Sequence, residues 1–310
     1  MKSKNSLLLG GAGQIGKLLI SNLNTNNNLF LLDKKSPKKY KLKNFKFIKY
    51  DLLKSKSLNK IPKNIDVALF LVGHVGGPDS LEIKNLNKYI DYNCETLIRF
   101  LKSAKKNKIK KIIFTSTEHV YGDDAKKTYN TNILEPNPKN YYGVSKLFSE
   151  KILYNFYKEN LTNIDILRIP RVVFGDSNNL ISSMIISAIT KKKITINNTR
   201  AKFNFIYSDD LLKVFEACLN QNTKGFRILN IFNNSKPMSI RSIAKLIQTK
   251  LDKNLKIIFT KKKLKTEHNP LNLNVSNIYT KKMLNWKPLF DNKKIIKKLI
   301  NIYEIKKNFR

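Results

Sequence analysis

A short apolar stretch near the start of the sequence runs directly into a glycine-rich turn and then into an amphipathic helical pattern. Residues 6–9 (SLLL) are predicted to form a buried strand. The glycines that follow are spaced three residues apart: Gly10, Gly13 and Gly16. In this setting glycines let the backbone approach a pyrophosphate, and N–H groups at the helix start, near Gln14 and Ile15, are free to bind it. The order strand, glycine turn and helix predicts a dinucleotide-binding unit, although such a turn also occurs without a ligand.

The end of the second predicted strand carries a carboxylate. Residues 28–33 (NLFLLD) end at Asp33, where a side chain that accepts hydrogen bonds from an adenosine ribose belongs. A carboxylate at this position repels a 2′-phosphate, so we predict NAD as cofactor. Lys34 and Lys35 follow directly and leave NADP as the less favoured alternative. After the third predicted strand, Asp51 with Leu52 is a candidate for the adenine edge, or an ordinary turn carboxylate.

Apolar strands and helical patterns alternate about six times up to residue 175. This alternation is typical of a doubly wound parallel sheet. We therefore predict an α/β protein with a Rossmann-type doubly wound parallel sheet and a smaller mixed C-terminal lobe that binds substrate. We assign residues 1–175 to the NAD-binding domain, to which part of 203–232 returns, and residues 176–310 mostly to the substrate-binding lobe.

Polar residues interrupt the apolar pattern around the fourth predicted strand. This strand, residues 65–73, ends at Gly73, a candidate cofactor contact. His74 follows and either faces a substrate or is an ordinary loop histidine. Asn93 lies on the apolar stripe of the helical pattern that continues to about Lys106, where a polar side chain usually has a fixed partner. Asn93 is therefore a candidate member of the cofactor site.

Tyr142 and Lys146 lie four residues apart and are predicted to share one face of a helix. A free phenol, with a pKa near 10, is a poor base at neutral pH. A nearby ammonium and a positively charged nicotinamide favour the phenolate, which then accepts a proton from a substrate hydroxyl while hydride leaves for NAD. Thr117 and Ser116, at the end of the fifth predicted strand, offer hydroxyls where such folds bind ligands. We predict that Tyr142, Lys146 and Thr117 are catalytic, that Tyr142 and Lys146 also contact the cofactor, and that Ser116 is a further candidate.

Composition narrows the class of protein. The chain has 310 residues, 41% of them hydrophobic, and no apolar run near the roughly 20 residues of a membrane span. The apolar start is too short for a signal peptide, and Cys94 and Cys218 form no disulfide or metal pattern. We expect a cytoplasmic protein without membrane or metal. The net charge of +38 comes from lysines dispersed along the whole chain, so we favour biased composition over nucleic-acid binding.

These motifs resemble the extended short-chain dehydrogenase/reductases of the NAD-dependent epimerase/dehydratase family, over nearly the whole chain. The matching segments are GGAGQIG (10–16), YNCET (92–96), TSTEHVYG (115–122), YYGVSK (141–146), FNFIYSDDLLKVFEACL (203–219) and MLNWKP (283–288). The resemblance implies a nucleotide-sugar substrate that is oxidised to a transient 4-keto sugar. It also implies that Asn93 supports the active site and that a homodimer forms through helices at 82–106 and 142–158.

Two positions depart from the family pattern. Dehydratases of the family carry Asp-Glu after the catalytic Thr, whereas this chain has Glu118 and His119. Glu118 is a candidate catalytic acid or base, and His119 a candidate substrate contact. Where the family places an asparagine that contacts the substrate phosphates, this chain has Arg171 in a loop one residue longer. Arg171 either binds a phosphate or is a solvated loop cation.

Several functions remain as alternatives. The first is an NAD-dependent nucleotide-sugar epimerase that oxidises C4 and returns the hydride. A sugar-nucleotide 4,6-dehydratase and an NAD(P)H-dependent keto-sugar reductase use the same residues. The alternative outside enzymes is an RNA-binding or regulatory relative of the fold, which leaves an intact set of Tyr142, Lys146 and Thr117 without a purpose.

Overall fold

The structure is a computed structural model. It describes residues 4–22, 28–36, 44–54, 61–122, 128–129, 136–175, 179–198, 202–263 and 273–308. The chain forms two compact units. The first contains Met1–Val120, Pro136–Arg168 and Leu212–Leu229, and the second contains Tyr121–Glu135, Ile169–Leu211 and Asn230–Arg310.

The helices and strands follow in chain order. Up to residue 160 they are β1 (Asn5–Leu9), α1 (Gln14–Asn22), β2 (Asn28–Asp33), β3 (Phe45–Lys49), β4 (Val67–Phe70), α2 (Leu86–Ile90), a π-helical turn (Asp91–Glu95), α3 (Thr96–Lys106), β5 (Lys111–Thr117), β6 (Thr128–Tyr129) and α4 (Tyr141–Asn160). Beyond it they are β7 (Asn163–Ile169), β8 (Arg171–Val173), α5 (Leu180–Lys191), β9 (Lys193–Asn198), β10 (Lys202–Phe203), β11 (Phe205–Tyr207), α6 (Ser208–Asn220), β12 (Phe226–Asn230), β13 (Met238–Ser239), α7 (Ile240–Leu251), β14 (Lys256–Lys263), β15 (Asn274–Val275), α8 (Ile278–Leu284) and α9 (Asn292–Asn308).

One seven-stranded sheet dominates the described part of the first unit. Its strand order is β12-β7-β5-β4-β1-β2-β3. The ladders that join β1 to β2 and β4, β2 to β3, and β4 to β5 are parallel. The order reverses beside β1, which is where doubly wound sheets bind ligands at the carboxyl ends of their strands. The predicted Rossmann-type α/β fold is confirmed.

Aromatic side chains fill the core where α3 packs on the central strands. Phe70 of β4 lies 5.4 Å from Phe100 of α3 and 5.9 Å from Phe114 of β5, measured between ring centroids. All residues of β4 and β5 are buried. Their near-continuous apolar sequences suit strands that are covered on both faces, and this packing fixes the strand ends that carry the candidate site.

The described part of the second unit is built on a separate core. It gathers side chains from α5, α7 and α9 with those of β9, including Ile185, Ile243, Ile196 and Leu299. Ser239 caps α7 by accepting a hydrogen bond from the Ser242 N–H at 3.1 Å. None of the described helices is both long and apolar enough to cross a bilayer.

Candidate active site

The turn between β1 and α1 has a backbone that requires glycine. Gly10 has a φ of 84°, in the left-handed region. A Cβ at Gly10 would also lie 2.9 Å from the backbone nitrogen of Val72, so a side chain is excluded twice. A Cβ at Gly16 would overlap the backbone of Gly11, because the first turn of α1 packs directly on the glycine turn.

The N-terminus of α1 remains open beside this turn. Gly13 and Gln14 are exposed and Ile15 is half-buried. The first N–H groups of a helix have no partner within it and carry the positive end of the helix dipole. The Gly13 N–H donates to the Gly10 carbonyl at 3.3 Å. Gln14 and Ile15, at the start of the helix, lie where an anionic group such as a pyrophosphate meets the helix N-terminus.

The carboxylate of Asp33 lies at the end of β2 against the glycine turn. Its Oδ2 accepts a hydrogen bond from the Ala12 N–H at 2.9 Å, and its Oδ1 accepts one from the Lys35 N–H at 3.1 Å. Backbone donors therefore hold the side chain in place. Asp51 is held in the same way, because its Oδ1 accepts from the Leu53 N–H at 2.9 Å.

A cavity of about 320 Å³ opens between the glycine turn and the ends of β2 and β3. Six of the predicted cofactor residues line it: Gly10, Gly13, Asp33, Asp51, Leu52 and Gly73. Tyr50 and Tyr92, which sequence reasoning did not select as site residues, line it as well. The Lys34 ammonium lies 5.9 Å from the Tyr92 ring centroid. The cavity is thus apolar on its walls and carries charge of both signs at its rim.

Asn93 joins the loop after β4 to α4. It lies in the π-helical turn and is completely buried. Its Oδ1 accepts from the His74 N–H at 2.8 Å, and its Nδ2 donates to the Ser145 hydroxyl at 2.8 Å. A Cβ at Gly73 would lie 2.9 Å from Asn93 Oδ1 and 3.6 Å from Lys146 Nζ. The structure therefore brings Gly73, Asn93 and Lys146 together.

Tyr142 and Thr117 meet at the junction of α4 and β5. Tyr142 is 9% exposed, and the Thr117 hydroxyl lies close enough to its phenol to influence its pKa. Burial raises the pKa of Tyr142 to about 12, and the nearby Glu118 charge adds to this, while the Thr117 hydroxyl acts in the opposite direction. Without a cofactor the phenol is thus protonated at neutral pH, and its pKa is shifted away from the value that a base needs.

Lys146 is buried one helical turn beyond Tyr142. Its ammonium lies 4.3 Å from the ring centroid of Phe114 in β5. Burial lowers the pKa of Lys146 to about 8, against the opposing influence of Cys94 and Glu150. A lysine with this pKa keeps its proton at pH 7 but releases it more readily than an exposed lysine does.

A buried ion pair that sequence reasoning missed lies behind Lys146. Glu150, the next residue on that face of α4, binds Arg168 of β7 through Nη2–Oε2 at 2.6 Å and Nε–Oε1 at 3.1 Å. The Ser116 hydroxyl donates to Glu150 Oε1 at 2.5 Å. The Ser116 hydroxyl is therefore hydrogen-bonded to the acidic member of this ion pair. The only signal for Glu150 in the sequence was its position four residues after Lys146.

Glu118 and His119 form the turn that follows β5. Glu118 is 6% exposed, so a carboxylate is buried close to the Tyr142 phenol. The His119 backbone N–H donates to the Thr117 hydroxyl at 3.3 Å. The His119 ring meets the Tyr142 ring edge-on, with 5.5 Å between centroids, and its Nδ1 lies 2.9 Å from Asn140 Nδ2.

His74 packs among aromatic rings near the same site. Its ring centroid lies 5.1 Å from that of Tyr89, and its Nε2 lies 3.8 Å from Asp79 Oδ2. Burial and the charge of Lys88 lower the pKa of His74, and Asp79 opposes them. The Tyr89 ring in turn lies 6.1 Å from the Tyr142 ring. His74 is thus linked to Tyr142 through one intervening aromatic side chain.

Arg171 belongs to the second unit, in contrast to the other predicted site residues. It begins β8, directly after Pro170. Within the second unit its guanidinium lies 5.3 Å from the Phe203 ring centroid, the geometry of a cation–π contact.

Comparison with known families places the chain. The family described as "NAD dependent epimerase/dehydratase family" matches residues 6–231. The chain belongs to this family. It is therefore an enzyme of the NAD-dependent epimerase/dehydratase type, and its cofactor is NAD. The matched range includes the glycine turn, the Thr117 strand end, the Tyr142–Lys146 helix and the return of the chain to the sheet at β12.

Individual relatives are distant. A dTDP-D-glucose 4,6-dehydratase from Dictyostelium discoideum is 29% identical over 254 residues, which cover 73% of this chain but only 57% of that relative. A UDP-glucuronate 4-epimerase from Thermodesulfobacterium geofontis is 25% identical over 270 residues, covering 84% of this chain and 80% of the relative. The solved UDP-glucuronic acid 4-epimerase from Bacillus cereus, in complex with UDP-glucuronic acid and NAD, superimposes with a TM-score of 0.82 at 22% identity, over 97% of this chain and 99% of that one. This last likeness shows the shared fold.

The residues present fit the family's cofactor. The glycine turn excludes a side chain at Gly10 and leaves the N-terminus of α1 open, and the Asp33 carboxylate is held at the adjacent strand end. Both features border the same cavity. Among the residues that the structure describes, no group of three His, Cys, Asp or Glu is placed to hold a metal ion.

Proposed function

We propose that the chain is a nucleotide-sugar 4-epimerase of the NAD-dependent family. The observation that carries the proposal is the buried phenol of Tyr142, which lies beside the Thr117 hydroxyl and is followed one helical turn later by the buried Lys146. Titratable groups with strongly shifted pKa values, such as Tyr142 and Lys146, are concentrated at functional sites. The cavity at the glycine turn belongs to the same unit.

The chemistry divides between the chain and its cofactor. Thr117 holds the substrate 4-hydroxyl by a hydrogen bond, and Tyr142 accepts its proton as phenolate and later returns it. A bound NAD would supply a reversible hydride acceptor for C4, and its positive nicotinamide would favour the Tyr142 phenolate. Lys146 adds a second positive charge and binds the nicotinamide ribose. The 4-keto sugar turns before it is reduced, so the hydride returns to its other face and no net oxidation occurs.

The proposed substrate contacts outside this core are His74 and Arg171. A guanidinium suits a phosphate because it offers several fixed N–H donors. The names of the relatives, which include a UDP-glucuronate 4-epimerase and a dTDP-D-glucose 4,6-dehydratase, support a nucleotide sugar as the substrate class. We further propose that residues 176–310 mostly serve substrate binding.

The decisive experiment identifies both cofactor and reaction. We expect the protein to release NAD, and no NADP, on denaturation. Mass spectrometry identifies the released nucleotide. Incubation with UDP- and dTDP-hexoses, without added cofactor, is expected to give a product of unchanged mass whose NMR spectrum shows inversion at C4. Tyr142→Phe abolishes turnover, whereas the matched control Tyr141→Phe retains it. Turnover that depends on added NADPH, or a Tyr142→Phe variant as active as wild type, would contradict the proposal.

A 4,6-dehydratase is the second candidate, because one observation favours it. The Glu118 carboxylate is buried close enough to Tyr142 to raise the pKa of the phenol. A carboxyl group there is placed to exchange protons with the substrate carbons beside C4. If the product is lighter than the substrate by one water, and if Glu118→Gln prevents this loss of water while NAD remains bound, the chain is a dehydratase.

We also propose a cytoplasmic homodimer. Cys94 and Cys218 are free and buried, as expected for a reducing compartment. On α4, Val144 and Phe148 lie four residues apart and are 40% and 51% exposed. Two large apolar side chains on one exposed helix face support an interface there.

A further inference from the structure

His119 links the strand end that carries Thr117 to the helix start that carries Tyr142. On the strand side, its backbone N–H donates to the Thr117 hydroxyl at 3.3 Å. On the helix side, its Nδ1 lies 2.9 Å from the side-chain nitrogen of Asn140. Asn140 is 3% exposed and is the N-cap of α4. His119 thus spans the junction between β5 and α4, with its backbone on the Thr117 side and its imidazole on the Asn140 side.

The hydrogen bonds of Asn140 decide which His119 nitrogen carries the proton. The Asn140 Oδ1 accepts from the Gly143 N–H at 2.8 Å, and only the oxygen end of the amide accepts a hydrogen bond. The end that faces His119 is therefore the NH₂ group, a donor. A donor at 2.9 Å requires a lone pair on His119 Nδ1, so the imidazole is neutral and its proton lies on Nε2.

The same junction is packed too tightly to adjust. A Cβ at Gly143 would overlap the carbonyl oxygen of His119, so the first turn of α4 lies directly on the His119 backbone. The His119 ring also meets the Tyr142 ring edge-on at 5.5 Å. If the Asn140 contact is lost, the cap, the helix start and the Tyr142 ring are all affected.

We propose that His119 is a positioning residue whose neutral Nδ1 orients the Asn140 cap, and so sets the place of the Tyr142 phenol against Thr117. The role rests on the proposed function of Tyr142 as the acid–base group. This role would explain the histidine at position 119, one of the positions where this chain departs from the family pattern. His119 acts here through Asn140 and its Nδ1, and its Nε2–H takes no part in the chemistry.

Two substitutions that introduce an amide distinguish the role of His119 Nδ1 from that of Nε2. In His119→Asn the side-chain oxygen lies near the former Nδ1 and can still accept from Asn140. In His119→Gln the amide lies near the former Nε2. We expect His119→Asn to keep kcat within about fivefold of wild type. We expect His119→Gln and His119→Leu to lower kcat by roughly 10- to 100-fold with little change in KM, since a small misplacement of a reacting group has such an effect. If His119→Gln retained activity and His119→Asn lost it, the role would belong to Nε2 and the proposal would be wrong. Wild-type kcat values in His119→Asn, His119→Gln and His119→Leu alike would also overturn it.

A second measurement does not depend on activity. The chain has three histidines, so ¹⁵N NMR of histidine-labelled protein resolves His119, which is assigned by its absence from His119→Asn. At pH 8 we expect the proton of wild-type His119 on Nε2. Asn140→Asp keeps an oxygen for the Gly143 N–H but presents a second oxygen to the imidazole, so the proton should appear on Nδ1. Protonation of Nδ1 in the wild type, or an unchanged tautomer in Asn140→Asp, would refute the proposed contact. Because this readout needs no substrate, it stands even if the chain is not an epimerase.

Discussion

At the scale of single residues, burial favours the uncharged form of both members of the proposed catalytic pair, Tyr142 and Lys146. Burial raises the pKa of Tyr142 to about 12 and lowers that of Lys146 to about 8, so both shifts favour the neutral form. The isolated site therefore resists the phenolate that the proposed reaction needs. Positive charge brought by a bound cofactor reverses the first shift, which couples readiness for proton transfer to occupancy of the site.

Replacement of Lys146 by Met removes a buried charge and should alter the pH dependence of stability. The folded pKa of about 8 lies below the ordinary lysine value of 10.5, so between these values the unfolded chain binds more protons. Lys146 thus lowers wild-type stability below pH 8, and this loss disappears as the pH rises toward 10.5. We expect the stability of Lys146→Met relative to wild type to fall by on the order of 3 kcal/mol between pH 7 and pH 10.5. Urea unfolding of both proteins measures it, and a difference that does not change with pH would contradict the buried-charge account.

Asp33 offers a second test at this scale. Ser at position 33 keeps an acceptor for the Ala12 N–H but removes the negative charge beside Lys34 and Lys35. We expect Asp33→Ser to shift the ratio of NADP to NAD affinity toward NADP by roughly tenfold or more. Calorimetric titration of nucleotide-free protein measures both affinities. Asp51→Ser, which removes a carboxylate from the same cavity, is the matched control and should leave the ratio nearly unchanged.

The sequence indicated some of these residues because their types and order are informative by themselves. Glycines after a strand, an acid at the next strand end and a Tyr–Lys pair on a helix each follow from local chemistry. The Glu150–Arg168 pair and the contact of His119 with Asn140 join positions 18 and 21 residues apart in the chain, through packing of β5, α4 and β7. No local pattern marks such pairs, so they required the structure.

At the scale of elements, the strands were predictable where apolar residues run without interruption. The predicted β2 agrees with the structure at both ends and the predicted β1 differs by one residue, whereas the fourth predicted strand, residues 65–73, is shorter in the structure, where β4 spans Val67–Phe70. Residues 163–175 are predicted as a sixth strand followed by an exit loop. In the structure β7 ends at Ile169, before Pro170, which lacks the N–H that a ladder needs, and part of the predicted loop forms β8, which begins at Arg171 and pairs with β11. The long helix before β5 is interrupted by the π-helical turn around Asn93, which apolar periodicity does not reveal.

The C-terminus of α4 provides a prediction for one element. Leu161 ends this helix with a φ of 52°, its side chain is 74% exposed, and its N–H donates to the Tyr157 carbonyl at 2.8 Å. A left-handed leucine is strained, and glycine is the residue that ordinarily occupies this position. We expect Leu161→Gly to stabilise the protein by about 0.5 kcal/mol, since the relief of strain exceeds the added entropy of the unfolded chain.

The control for this substitution lies within the same helix. Lys158 is exposed and has right-handed helical geometry, so Lys158→Gly should destabilise the protein by about 1 kcal/mol. Chemical denaturation gives both differences. If the two glycines change stability in the same direction, the geometry at Leu161 does not govern its contribution.

At the scale of the whole molecule, the net charge of +38 has no part in any step of the proposed reaction. The described structure pairs some of the cations: Lys110 binds Asp66 at 2.6 Å, and Lys298 binds Asp209 at 3.0 Å. With 60 basic and 22 acidic residues, most cations have no acidic residue to pair with. Such a surface attracts anionic substrates at low salt, and the same charge opposes self-association. A dimer of this chain therefore needs an apolar contact strong enough to offset that repulsion.

The exposed face of α4 is the proposed source of that contact. We expect the wild-type protein to sediment as a dimer at micromolar concentration, and Phe148→Asp to sediment as a monomer, because a carboxylate in place of a buried ring leaves an unpaired charge in the interface. Ile258→Asp is the matched control: Ile258 is 42% exposed on β14 of the second unit, and this change should leave the dimer intact. Analytical ultracentrifugation at two salt concentrations separates the two forces. Higher salt screens the repulsion and should strengthen the wild-type dimer. A wild-type protein that is monomeric at both salt concentrations would rule out the α4 interface.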